Sequence, residues 1–375
     1  MTKKPRKEFK KQISDLVRKH GTPLFVIRKS KLLDQLKRFH TLLPRVKPFY
    51  AVKANSHAFI LKTFAAAGTG FDVASIEEMR MLIDLGVGPE RMIYANTVKK
   101  PEALKFAVDN KIDLMTFDSE YELNKIAQCA PNARVLVRIK VPNVGSIVEL
   151  SLKFGAEPMD AIPFLIKAIR LGLRPVGVSF HVGSQNTHVA NYLDSLELVS
   201  IIFKDAHLKQ IPLEILDIGG GFPIRYFDHE KDLFAMTASH INKELNRLFP
   251  RDVQVIAEPG RVLCGPAGVL IMKVVGKSIR NNKHWYYLDD GVYGSLSGIV
   301  YDHCKYQYRI FKRGITQITT LAGPTCDSFD IISTSEELPE LDIGDIIYVE
   351  NIGAYSWVTA TNFNGIPPAQ VVTVD

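Results

Sequence analysis

With 375 residues, 46% of them hydrophobic, the chain has material for one large domain and a smaller one, while its longest apolar runs, "AGVLIM" and "GDIIYV", are far too short for a bilayer span. No apolar core follows the basic start as a secretion signal would require, so a soluble, cytoplasmic protein with no membrane partner is expected. The four cysteines, Cys129, Cys264, Cys304 and Cys326, form no CxxC pair, which speaks against zinc knuckles, disulfide frameworks and a metal site, and the net charge of +7 is dispersed without aromatic interleaving, which speaks against a nucleic-acid reader.

The basic run "KKPRKEFKK", Lys3 to Lys11, supplies much of that charge and is expected to be a solvated, frayed end. "LFVI", Leu24 to Ile27, precedes the first helical pattern and is expected to return to a later β domain. Eight runs follow it: "PFYAV", "GFDVA", "MIYA", "DLMTF", "RVLVRI", "PVGVSF", "EILDI" and "QVIAE", each apolar enough to be buried on both faces. Between them lie amphipathic patterns such as "AFILKTFAAAG", "SIEEMRMLIDLG", "SEYELNKIAQCA" and "NYLDSLELVSIIFKDAH", several opening on a capping Ser or Asp and closing on Gly. Eight βα units predict a (β/α)8 TIM-like barrel. A doubly wound sheet would place GxGxxG after its first strand, where this chain has "KANSHA". Beyond residue 266 the helical periodicity stops, and "GVLIMKVVGKSI", "HWYYL", "QITTLAG" and "GDIIYVENIGAY" predict a second, all-β domain. The expected division is a barrel over residues 31–266 and a β domain from residues 1–30 and 267–375.

In such a barrel the chemistry gathers where strands end. Lys53 closes the first run, Asp72 lies in the second, Asn96 follows the third, Arg138 stands in the fifth, His181 follows the sixth, Gly219 to Gly221 follow the seventh and Glu258 ends the eighth. Unpaired charges at the ends of buried strands are costly unless a ligand or partner satisfies them, so their convergence points to a binding site. "LDIGGGFP" lets consecutive backbone N–H groups face an anion, and with "EPGR", which contains Gly260 and Arg261, it fits the phosphate site that barrels build after strands seven and eight. The lack of GxxxxGK[ST] argues against a nucleoside triphosphate. A lysine beside a phosphate pocket predicts pyridoxal phosphate (PLP), held as a Schiff base. Attack requires the neutral amine, and burial at the end of an apolar strand favours that form, so Lys53 is expected to be desolvated.

Taken in order, "PFYAVKAN", "GTGFDVAS", "RMIYAN", "LMTFDSEYEL", "SLKFGA", "GVSFHVGS", "LDIGGGFP", "AEPGR", "DDGVYGS", "YDH", "GPTCDSFD" and "NIGAYS" resemble the PLP-dependent ornithine, diaminopimelate and arginine decarboxylases, which share the alanine-racemase-like barrel, and the ornithine decarboxylases in particular. The resemblance covers nearly the whole chain. It implies that Lys53 bonds the coenzyme, that His181 stacks on its ring, and that Glu258 pairs with the protonated ring nitrogen, where alanine racemases carry an arginine. Ser184, Gly219, Gly220, Gly221, Arg261 and Tyr355 match the phosphate contacts, with Gly260 beside them, and Asp72 and Arg138 match the surroundings of coenzyme and lysine. Cys326 matches the proton donor that acts once CO2 has left, and Asp327 a substrate-amine contact. Both come from the neighbouring subunit in this family, which implies a homodimer with shared active sites. Tyr301 and Asp302 belong to "YDH", whose carboxylate meets the distal amine of ornithine, so the implied reaction is L-ornithine to putrescine in polyamine biosynthesis. Lysine, arginine or diaminopimelate as substrate, and a catalytically silent regulatory homologue, are the alternatives. The chain departs from the animal enzymes in having Ser328 where they have glycine, and it ends soon after "TNFNG", so tail-directed degradation is not expected.

Overall fold

The computed structural model describes residues 3–148 and 152–375; Ser151, which opens the "SLKFGA" motif, lies outside them. The strands, in chain order, begin with β1 (Leu24–Arg28), β2 (Val46–Ala51), β3 (Gly70–Val73), β4 (Met92–Tyr94), β5 (Leu114–Phe117) and β6 (Arg134–Arg138). They continue with β7 (Ser146–Val148), β8 (Arg174–Ser179), β9 (Ser184–Asn186), β10 (Ile215–Asp217) and β11 (Gln254–Ala257). The remainder are β12 (Gly268–Arg280), β13 (Lys283–Leu288), β14 (Tyr308–Ile310), β15 (Thr316–Ala322), β16 (Ile331–Pro339), β17 (Ile346–Glu350) and β18 (Gln370–Val374).

Two compact units emerge, one of residues 32–224 and 231–263, the other of residues 1–31, 225–230 and 264–375. In the first, β2, β3, β4, β5, β6, β8, β10 and β11 close into a barrel of parallel neighbours. All eight runs read as buried strands are therefore barrel strands. Phe49, Ile93, Leu114, Leu136, Val176, Ile215 and Ile256, from seven of these strands, cluster as a core, each such side chain contributing about 1.5–3 kcal/mol by leaving water. Parallel neighbours require long crossovers, and the amphipathic segments provide them as helices. Ile76–Ile83 and Glu120–Cys129 start where Ser75 and Ser119 accept the N–H of Glu78 and Glu122, three residues on. The sequence patterns gave no sign of β7 and β9, which pair antiparallel beside the sixth strand end; three residues each are too few for a periodicity to show.

The second unit is an eight-stranded sheet in the order β14-β17-β12-β13-β15-β16, with β1 joined to β12 and β18. Leu24 to Ile27 thus does enter this sheet, antiparallel to Val269 and its neighbours. One expectation needs correction. The basic N-terminal run is not frayed but belongs to a helix, Lys3–His20, because Phe9, Ile13, Leu16 and Val17 recur at helical spacing and pack on Leu24, Val26, Val269, Ile271 and Tyr348. The expected β domain is accordingly a mostly-sheet unit that also carries this helix. In addition, β16, "IISTSEELP", escaped notice because its alternation is diluted by Ser, Thr and Glu on its exposed face.

Candidate active site

Lys53 stands in a single 3-10 turn, Val52–Ala54, that follows β2. The turn is pinned by the Ala51 N–H, which donates to Pro259 O at 3.3 Å, and the register of β2 on β3 sets Ala51 opposite Asp72. The Lys53 Nζ pairs with Asp72 Oδ2. This corrects the expectation of a desolvated amine: the Lys53 side chain is 46% exposed, whereas that of Asp72 is 1% exposed, so what the fold places beside the amine is a buried carboxylate rather than hydrocarbon. Asp72 Oδ1 is buried without a donor among the described residues. Glu78, absent from the sequence reading, joins this group electrostatically; burial pushes its carboxyl up to about 7, against the Ala74 N–H that it accepts at 2.7 Å, with the charges of Asp72 and Lys53 also acting on it. Its signal was present as the "SIEE" capping box, which reads as purely local.

Two residues beyond β8, the half-buried His181 accepts the Gly183 N–H on Nδ1 at 3.0 Å, which leaves the proton of a neutral ring on Nε2. Desolvation, then the positive charges of Arg138 and Lys53, hold this imidazole well below its ordinary range, so it is uncharged at neutral pH. Arg138, at the end of β6, places its guanidinium 5.1 Å from the centroid of Phe154. Glu258, 6% exposed, directly follows β11, and its Oε1 is buried without a donor among the described residues. Desolvation first, then the charges of Asp217 and Asp72, drive its carboxyl well above the ordinary range. Asp217 is the second residue that sequence reasoning missed. It was visible as the second acid of "EILDI", after Glu214, but nothing local says what it faces.

The glycine run is confined by its neighbours. Gly219 and Gly221 have φ of +64° and +102°, and a Cβ on either would stand 2.2 Å from a backbone oxygen, of Phe180 and Gly183 respectively. Beside this turn, the Asn186 N–H donates to Gly221 O at 2.9 Å, and the Tyr192 hydroxyl donates to Gly220 O at 2.7 Å. The antiparallel pair β7–β9 presents Ser184 there, and its Oγ accepts from Nη2 of the buried Arg261 at 2.9 Å. Gly260 is buried next to it. A buried guanidinium, a hydroxyl and a stripped backbone turn are together groups able to receive an anion. Asn96, by contrast, is a turn residue that accepts the Val98 N–H at 3.4 Å.

The remaining candidates lie in the sheet unit. Asp302, 8% exposed, caps the short helix Gly298–Tyr301, with the Cys304 thiol 3.7 Å from its Oδ2; Tyr301 is exposed. Cys326 is exposed and its N–H donates to Asn364 Oδ1 at 3.0 Å. Asp327 accepts the Tyr293 hydroxyl and, at 3.0 Å, the Phe329 N–H; these two hydrogen bonds hold its carboxyl below its usual range. Beneath this loop lies Asp330, 2% exposed, which accepts the N–H of Val292 at 2.9 Å and of Thr325 at 3.0 Å and the Thr325 hydroxyl at 2.8 Å. Tyr355 is half-buried with φ of 50°. No helix among the described residues is long and apolar enough to cross a membrane, and none of their His, Cys, Asp and Glu side chains form a group of three suited to a metal ion.

Residues 29–265 match the family described as pyridoxal-dependent decarboxylase, pyridoxal binding domain. The chain is 42% identical to the lysine/ornithine decarboxylase of Selenomonas ruminantium, over 95% of this chain and 90% of that one. It is 38% identical to antizyme inhibitor 2 of Xenopus laevis, over 97% and 80%. The crystal structure of a lysine/ornithine decarboxylase from Vibrio vulnificus complexed with putrescine superposes with a TM-score of 0.91 at 33% identity, covering 97% of each chain.

Proposed function

The chain belongs to the pyridoxal-dependent decarboxylases, and from that premise we propose that it is a cytoplasmic homodimer that decarboxylates a basic amino acid, chiefly L-ornithine to putrescine. The observation that carries this reading is Glu258: a buried carboxyl, with an oxygen lacking any described donor, standing against two further acids. A protonated ring nitrogen satisfies such a group in both charge and hydrogen bonding, and a neutral ring does not.

The residues present fit pyridoxal phosphate, the coenzyme of the family. When bound, it supplies an aldehyde that takes up an amine and a cationic ring that withdraws electrons from the bond to be broken. Lys53 is the amine that holds it, and Asp72 orients that amine. Gly219 to Gly221, Ser184 and Arg261 hold the phosphate. His181, kept neutral, offers an uncharged ring face to a cationic partner, whereas an imidazolium would repel it. In this reading Cys326 and Asp327 act on the site of a second copy, Cys326 delivering a proton after CO2 leaves and Asp327 receiving the substrate amine. The buried carboxylate of Asp302, next to Tyr301, selects a cationic side-chain terminus.

A second reading, dual use of lysine and ornithine, is favoured by the similarity to the Selenomonas enzyme. One methylene is worth about 1–3 kcal/mol, or roughly 10- to 200-fold, so lysine turnover within that range is compatible with the same pocket. The similarity to antizyme inhibitor 2 raises the third reading, a silent regulator, against which stands the joint presence of Lys53, His181, Glu258, Cys326 and Asp327. The deciding experiment compares kcat/KM for ornithine, lysine, arginine and diaminopimelate by CO2 release with saturating coenzyme. Ornithine is expected to lead, with lysine second. A lead for arginine or diaminopimelate would overturn the substrate assignment, and a colourless protein that releases no CO2 would overturn the enzymatic one.

A further inference from the structure

We propose that Asp217 is a positioning residue for the coenzyme's ring nitrogen: it holds the Glu258 carboxyl and the first glycine of the anion turn in a single fixed arrangement. This rests on the assignment of Glu258 to the ring nitrogen made above.

Asp217 is an acid on an otherwise apolar barrel strand, with no solvent exposure. A carboxylate there is tolerable only if its oxygens are satisfied. Its Oδ1 accepts the Gly219 N–H at 2.9 Å, its Oδ2 accepts the Ser179 hydroxyl at 3.1 Å, and its carboxylate is in hydrogen-bonding contact with the Glu258 side chain. Gly219 O in turn accepts the Glu258 N–H at 2.8 Å. Asp217, Gly219 and Glu258 are thus tied pairwise, side chain to backbone, backbone to backbone and side chain to side chain. Neither β10 nor β11 needs this circuit, because their ladder is already formed from Ile215 to Asp217 on Gln254 to Ile256.

Two carboxyl groups in contact in a dry core do not both ionise, so one proton stands between them. Burial accordingly pushes Asp217 up to about 6, and desolvation followed by the Asp217 charge pushes Glu258 upward as well. The pair carries one negative charge, which matches one protonated ring nitrogen. Since both oxygens of Asp217 already accept from Ser179 and Gly219, its orientation is set, and Glu258 takes its orientation from it. The same anchor ties that orientation to the turn that receives the phosphate, so the two ends of the coenzyme site share one buried carboxylate.

The test is a double-mutant cycle on coenzyme affinity, measured by titrating pyridoxal phosphate into full-length apo-protein and following the visible absorption of the bound form. Asp217→Asn keeps the side-chain volume. It is expected to weaken binding by about tenfold, the scale of a hydrogen bond to a charged group, and to shift the absorption of the bound coenzyme. In a Glu258→Gln background the same substitution is expected to change affinity by less than about twofold, since the group it positions is gone. Equal losses in both backgrounds, or no loss in either, would overturn the role of Asp217. If Glu258→Gln alone leaves affinity and absorption unchanged, the ring-nitrogen assignment fails first and this inference with it. Should Asp217→Asn not fold, Ser179→Ala in the same cycle decides, with an expected loss of about threefold confined to the Glu258 background.

Discussion

In the barrel, Asp72, Asp217 and Glu258 stand on or directly after strands and are at most 6% exposed, whereas Cys326 is exposed and Asp327 half-buried on a loop of the sheet unit held from below by Asp330. The difference lies in what satisfies the backbone. Barrel strands pair with neighbours on both sides, so side chains at their ends can be desolvated without exposing unmet N–H groups, and burial there drives the carboxyls of Asp217 and Glu258 upward. The loop has no ladder, and one carboxylate, Asp330, must supply the acceptors for Val292 and Thr325. Its functional groups stay near water, and Asp327 is held below its usual range by donors rather than raised by burial. Strand ends here raise carboxyls through desolvation, while the loop carries one that its hydrogen-bond donors lower.

The largest effect is expected of Lys53→Ala. If the strand-end cluster is the chemical centre, the visible coenzyme band disappears and turnover falls on the order of a thousandfold or more, as when a covalent nucleophile is removed. A mutant with wild-type turnover would remove the barrel from the chemistry. Next in size, Cys326→Ala should lower kcat by roughly a hundredfold, the typical worth of a positioned acid, while the coenzyme dissociation constant stays unchanged. A loss of coenzyme binding instead would show that the loop belongs to the coenzyme site.

Smaller and purely structural is Asp330→Ala. It strands donors that are now satisfied and should cost about 2–3 kcal/mol, seen as a lower Tm, with the barrel still able to bind coenzyme. Retention of the full Tm would mean that the loop does not depend on its buried carboxylate. The mildest effect is on pH dependence. Asp217, Glu78 and, in the sheet unit, Asp290 have folded values raised to about 6, about 7 and about 6, chiefly by burial. The folded chain therefore holds protons that the unfolded chain releases near pH 4, and these groups contribute stability that is present below that pH and lost as pH rises through 6 to 7. Denaturant unfolding of apo-protein across this range should show that decline, and Glu78→Gln should flatten its upper end. An unchanged slope in the variant would separate Glu78 from the buried set.

Local pattern was enough for several of these elements and failed for others in an instructive way. The run "GFDVA" declares a strand buried on both faces, and "PVGVSF" does the same, because a parallel strand under helices has no polar face to display. Ser75 and Ser119 mark helix starts because a cap bonds only three residues ahead. The N-terminal helix was hidden because its apolar stripe of Phe9, Ile13, Leu16 and Val17 is thinly spread among lysines. Glu78 looked like half of a capping box, and its proximity to the charges of Lys53 and Asp72 is a matter of where β3 lies against β2.

Local sequence settled which segments become barrel strands and which side chains are carried to their C-terminal ends, since burial and alternation are written in neighbours a few residues apart. It did not determine that Lys53 would meet Asp72 in a half-exposed pair, or that Asp217 would lie against Glu258 across adjacent strands. Those pairings follow from strand register and from closure of the barrel, which are set by contacts between residues far apart in the chain, and a shift of one residue would turn each of these side chains to the other face.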